Sequence, residues 1–180
     1  MINDKGKKII DKYLIENGAT IKVLVDNRKD YFNKFDPLEN SINTEVVNYI
    51  TEEANNIPFK YKLLIDFYSD ELNEKEKEKI RRLIKEYYGM QIINNESIIR
   101  TNSVKALSLL LLGAIIIAYT IIGKELFGAI FMEVVYVMGW VLLWEGTEIL
   151  LLSNSAEKVK NKNYKQIYNS EIVFSDKLEN

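Results

Sequence analysis

The chain has 180 residues, 47% of them hydrophobic and 28% charged, with a formal net charge of -2. That length accommodates one modest domain and some additional helices, not two large cores. Cysteine and histidine are both absent, which excludes disulfides, thiolate chemistry and cysteine zinc sites and removes the usual general base; no large basic field marks a nucleic-acid footprint, so no nucleic-acid partner is expected.

Residues 1–20 read as a polar amino-terminal extension without the apolar core of a signal peptide. A cytoplasmic α/β domain is expected over 21–88. Its first strand is "IKVLVD", where Ile21, Val23 and Val25 alternate with Lys22, Leu24 and Asp26. The following "DNRKDYF" holds neither a glycine-rich dinucleotide loop nor a P-loop, so no nucleotide cofactor is expected there. In "NTEVVNYITEEA", Val46, Val47, Ile50 and Ala54 form a helical stripe, and Pro58 separates it from a second strand, "YKLLIDFY", with Tyr61, Leu63, Ile65 and Phe67 on one face. Strand, helix and strand in that order predict a parallel pair joined by a right-handed crossover. "NEKEKEKIRRLIKEYY" opens with a capping box, Asn73 and Glu76, and carries Ile80, Leu83, Ile84 and Tyr87 as its apolar stripe. The dense Glu and Lys alternation within it reads as a solvated helix face.

Residues 89–104 are expected to connect this domain to a first transmembrane helix at 105–123. Residues 1 to 105 contain 18 basic and 18 acidic side chains, whereas the run Ala106–Gly123 contains none. At 1.5 Å per residue that run covers most of a hydrocarbon core of roughly 30 Å, with Lys105 and Lys124 placed to snorkel. A second span is expected over 126–152, interrupted only by Glu133, Glu145 and Glu148. The "KELF" connection, Lys124 to Phe127, makes the two helices antiparallel neighbours. Residues 153–180 read as a cytoplasmic tail with a short strand at 171–175 that completes the sheet. The fold class expected is therefore α+β: a small cytoplasmic α/β domain, an antiparallel two-helix transmembrane hairpin and a short tail. Arg100, Lys105, Lys158, Lys160, Lys162 and Lys165 flank the hairpin, so the positive-inside rule puts both termini in the cytoplasm of an inner (cytoplasmic) membrane.

The second span contains "GWVLLWEGTE", Gly139 to Glu148. On a helix Glu133, Val137, Trp140, Trp144, Glu148 and Leu151 fall near one face, and Glu145 sits about 100° from Trp144. An intramembrane carboxylate costs at least about 3 kcal/mol and is a functional candidate by default; here Glu145 and Glu148 lie within about two turns of the cytoplasmic end, where they and the tryptophans are suited to interfacial anchoring. Gly139 and Gly146 permit close approach of the first span or of another subunit, with Gly113 a candidate on the facing helix and Glu133 a further helix-packing candidate. Glu145 and Glu148 are helical neighbours, but with no histidine, cysteine or metal-ligand spacing beside them no catalytic residue, metal or cofactor is assigned.

The same segment resembles an uncharacterised family of small bacterial two-span membrane proteins. Its G-W-V-x-x-W-x-x-x-E pattern follows a short extracytoplasmic turn and corresponds here to Gly139, Trp140, Trp144 and Glu148. The upstream "FDPLENSINTEVVNYITEEANNIP" and "KLLIDFYSDELNEKEKEKIRRLIKEYY" are similar to that family as well, extending the likeness over roughly residues 35 to 175. The family commonly has Arg-Pro where this chain has Glu145 and Gly146. The resemblance implies the division into cytoplasmic domain and hairpin, and no activity. The function expected is a membrane-anchored, non-enzymatic binding or assembly module that oligomerises or docks a membrane or cytoplasmic protein. The alternatives are an oligomeric pore-forming or membrane-perturbing effector, and a membrane enzyme using its glutamates.

Overall fold

A computed structural model describes residues 14–15, 18–69 and 72–176. The chain divides into two compact units, one of residues 1–93 with 161–180 and one of residues 94–160.

The first unit is a mixed α+β domain. Its sheet runs β1 (Leu14–Ile15), β2 (Gly18–Val25), β3 (Lys62–Ser69) and β4 (Glu171–Asp176) in that spatial order. Two-residue β1 pairs antiparallel with β2; β2, β3 and β4 are mutually parallel, with Ile21 opposite Ile65 and Ile65 opposite Ile172. Alternation places Ile21, Val23 and Val25 of β2 and Leu63, Ile65 and Phe67 of β3 in the core, while Lys22 and Leu24 face outward.

Helix α1 (Thr44–Asn55) covers that core with Val46, Val47, Ile50 and Ala54, all buried, and Asn43 caps it by accepting from the Glu45 backbone N–H. The first turns of α2 (Glu74–Phe127) add Ile80, Leu83, Ile84 and Tyr88. Its capping box is complete: the Asn73 side chain accepts from Glu76 N–H at 3.0 Å, and the Glu76 carboxylate accepts from Asn73 N–H at 3.0 Å. A short 3-10 turn, Arg28–Tyr31, buries Tyr31 and Phe32, with the Tyr31 ring 5.5 Å from Phe67.

The second unit is a helical hairpin: the later part of α2, then α3 (Ala129–Glu148), a π-helical turn at Ile149–Ser153, and the start of α4 (Asn154–Tyr168). Both long helices are apolar and long enough to cross a membrane, and only 17% and 11% of their most apolar windows are buried, whereas a soluble core helix is mostly buried. Topologically this unit is an excursion within the crossover from β3 to β4. The chain leaves the α/β unit along α2 and rejoins it along α4, whose Ile167 is buried in the same core.

Several boundaries differ from those expected of the sequence. Gly18–Thr20 already belong to β2, and much of the extension expected over 1–20 lies outside the described residues. The connecting residues 89–104 are helical throughout, as part of continuous α2. That stretch has one glycine and no proline, and once a helix is nucleated each further residue adds a hydrogen bond at little cost. The turn after the first apolar run falls at Gly128, not over Lys124–Phe127, because Gly128 supplies the left-handed φ of 83° that ends the helix. The Lys124 side chain, expected on the far side, lies outside the described residues. The second long helix does not stop at Leu152, since no glycine or proline intervenes before Asn169; it passes through the π turn into α4.

Candidate functional site

The hairpin is held along a seam of buried, mostly small residues at seven-residue spacing. On α2, Ala106, Gly113 and Thr120 are buried; on α3, Met132, Gly139 and Gly146 are buried. A seven-residue repeat keeps one seam facing a partner helix. The approach is too close for side chains: a Cβ on Gly113 would meet the Gly139 carbonyl oxygen at 2.8 Å, one on Gly139 would meet Ile117 Cγ1 at 2.7 Å, and one on Gly146 would meet the Ala106 carbonyl oxygen at 2.9 Å. Gly113, Gly139 and Gly146 therefore serve the contact between the two helices of one chain.

The pairing of Gly113 with Gly139 and of Ala106 with Gly146 also sets depth. Counted along the antiparallel register, Glu148 is level with about Val104, Glu145 with about Leu107 and Glu133 with about Tyr119. Each carboxylate thus lies near an end of the uncharged run of α2, with none at its middle. Glu145 is paired: Lys105 Nζ donates to its Oε1 at 3.2 Å, and both side chains are about half exposed. Glu133 and Glu148 are exposed, as are Trp140 and Trp144 at 53% and 71%. The Tyr136 and Trp140 rings meet edge to face at 6.4 Å. The residues singled out in the sequence therefore separate into an inward glycine set and an outward aromatic and acidic set.

The π turn changes which residues continue the seam. Buried positions follow Met132, Gly139 and Gly146 at intervals of seven, then skip eight to Asn154 and return to seven at Asn161. A π turn accommodates that additional residue. It brings Asn154 inward, where its Nδ2 donates to Ser103 Oγ at 2.9 Å, while Asn95 Nδ2 donates to the Glu157 carbonyl at 2.6 Å. Asn154 Oδ1 is buried with no hydrogen-bond partner. Ala106, Thr120, Met132 and this asparagine pair were not singled out in the sequence, and Lys105 was read only as a flanking charge, not as the partner of Glu145; the seven-residue spacing alone would have exposed the first three.

In the α/β unit Arg28 bridges two carboxylates. Its guanidinium donates to Glu39 at 2.8 and 3.0 Å and to Glu76, and Lys79 lies 3.6 Å from Glu39. The Arg28 hydrogen bonds hold the Glu39 carboxyl below the usual glutamate range; the Asn73 backbone N–H, and then Arg28, do the same for Glu76. Two open clefts flank the sheet. One, about 530 Å³, is lined by Lys22, Leu24, Asp30, Asn43 and Tyr49; the other, about 860 Å³, by Phe59, Tyr61, Leu64, Lys162 and Gln166. Among the described residues no cluster of three acids could hold a metal ion. The arrangement is that of a hydrophobic helical module joined to a folded domain. Comparison with family models, curated proteins and solved structures yields no match.

Proposed function

We propose that the chain is a two-span protein of the bacterial inner membrane, with both termini cytoplasmic, acting as a non-enzymatic binding and assembly module. The observation that carries this reading is the position of the hairpin within the β3 to β4 crossover. Both ends of the apolar excursion rejoin one α/β unit, an arrangement satisfied by an even number of membrane crossings. The low burial of the two apolar helices supports lipid as their surroundings. In this reading Trp140, Trp144, Glu145 and Glu148 anchor or assemble the hairpin near the cytoplasmic boundary, and the exposed clefts of the α/β unit dock a protein or small regulatory ligand. The tryptophan pattern, which resembles that of the small two-span family, supports this reading.

The test is membrane fractionation followed by alkaline carbonate extraction. Retention in the pellet is expected; release of the folded chain into the soluble fraction would reject the reading.

A further inference from the structure

The Lys105–Glu145 pair faces away from the glycine seam, on one flank of the hairpin, and is 59% and 49% exposed at its two side chains. Seven-residue spacing puts Leu112 and Tyr119 on the Lys105 flank of α2, and Met138 and Phe131 on the Glu145 flank of α3. All four are about half exposed. Half-exposed Ile98, seven residues before Lys105, continues the α2 column past the pair, so Lys105 is set within an apolar strip. Ionisable groups in membrane segments ordinarily face a bundle interior or a wet cavity, yet this pair faces outward from the single chain.

Resting on the membrane-spanning reading above, we propose that this flank is a homodimer interface, with a twofold axis along the membrane normal. Such a rotation preserves depth and sets α2 of one copy against α3 of the other. Lys105 then meets the partner subunit's Glu145, Leu112 meets the partner subunit's Met138, and Tyr119 meets the partner subunit's Phe131. The flank is self-complementary because each of its two columns carries one sign of charge at the same level. Four alternating charges replace an ion pair facing lipid, and the aromatic and methionine side chains pack the remainder. The glycines are unavailable for this contact, since the intrachain seam occupies them.

The chain has no cysteine, which makes directed cross-linking unambiguous. Differently tagged Leu112→Cys and Met138→Cys chains are co-expressed and treated in native membranes with copper phenanthroline as oxidant. A mixed-tag disulfide dimer is expected from this pair and its loss from Ala114→Cys with Trp140→Cys, on the opposite flank. Lys105→Glu should abolish the mixed dimer, and adding Glu145→Lys should restore it. Equal cross-linking on both flanks, or none in chains retained by the membrane, would overturn the interface alone; a chain absent from the membrane would reject the two-span reading itself.

Discussion

Gly113 and Gly139 lie backbone to backbone: a Cβ on Gly113 would stand 2.8 Å from the Gly139 carbonyl oxygen and 3.0 Å from Leu143 Cγ. The first of these contacts is with backbone, which cannot swing aside as a flexible side chain can. Gly113→Leu should therefore force the helices apart and destabilise the hairpin by about 1–3 kcal/mol, the usual range for overpacking. Thermal unfolding in detergent measures this, with Ala114→Leu, next to it on an exposed position, as the neutral control. Equal midpoints for the two variants would argue against the seam.

The reciprocal bonds of Asn73 and Glu76, both 3.0 Å, satisfy backbone donors at the start of α2. Asn73→Ala should cost about 1 kcal/mol. The loss is expected in chemical denaturation followed through the α/β unit, with Asn73→Asp largely retaining stability.

Acid should weaken the α/β unit through Arg28. Glu39 and Glu76 both have folded-state values held below the ordinary glutamate range. A depressed carboxyl contributes stability that is present above its unfolded value, about pH 4.3, and is lost as pH falls through the lower folded value. Arg28→Met should thus reduce stability at neutral pH and flatten its decline below about pH 4.3. Because these carboxylates are near the surface, the effect should shrink in high salt. Parallel pH profiles for the two chains would contradict this assignment.

Asn154 presents the opposite case. Its Nδ2 donates to Ser103 Oγ, while its Oδ1 is a buried acceptor that has no partner. A hydrogen bond contributes about 0.5–1.5 kcal/mol net, whereas an unsatisfied buried polar group costs about 1–3 kcal/mol. Ser103 would still donate to the Ile99 carbonyl at 2.8 Å. Asn154→Leu should therefore leave the thermal midpoint unchanged or raise it, and a marked drop would show that Oδ1 is satisfied in solution.

Local elements were readable where a strong period or a cap signal exists. Ile21, Val23 and Val25 alternate in sequence and in burial; Val46, Val47, Ile50 and Ala54 form both the sequence stripe and the buried face of α1; Asn73 and Glu76 announced the box they make. Non-local features were not readable in this way. A final strand completing the sheet was readable in "EIVFS", but that it lies parallel beside β3, making the hairpin an insertion into a crossover, depends on residues about a hundred positions apart. The burial of Tyr31 and Phe32 in a short turn has no period to reveal it. The spacing of Gly139 and Gly146 suggested close approach, but only the register with Ala106 and Gly113 identifies the intrachain partner and fixes the level of Glu145 and Glu148. The π turn is silent in "ILLLS", since it appears only as a one-residue shift in which later positions are buried.

Sidedness tests the two-span account most directly. Single cysteines at Lys60, Lys162 and Ala129, introduced into a chain that has none of its own, can be labelled with an impermeant maleimide in intact cells and in inverted membrane vesicles. Cysteines at Lys60 and Lys162, both in the α/β unit, are expected to react only in inverted vesicles, and one at Ala129, beside the Gly128 turn, only in intact cells. Labelling of Lys60→Cys and Lys162→Cys from opposite sides, or of all three from the same side, would contradict it.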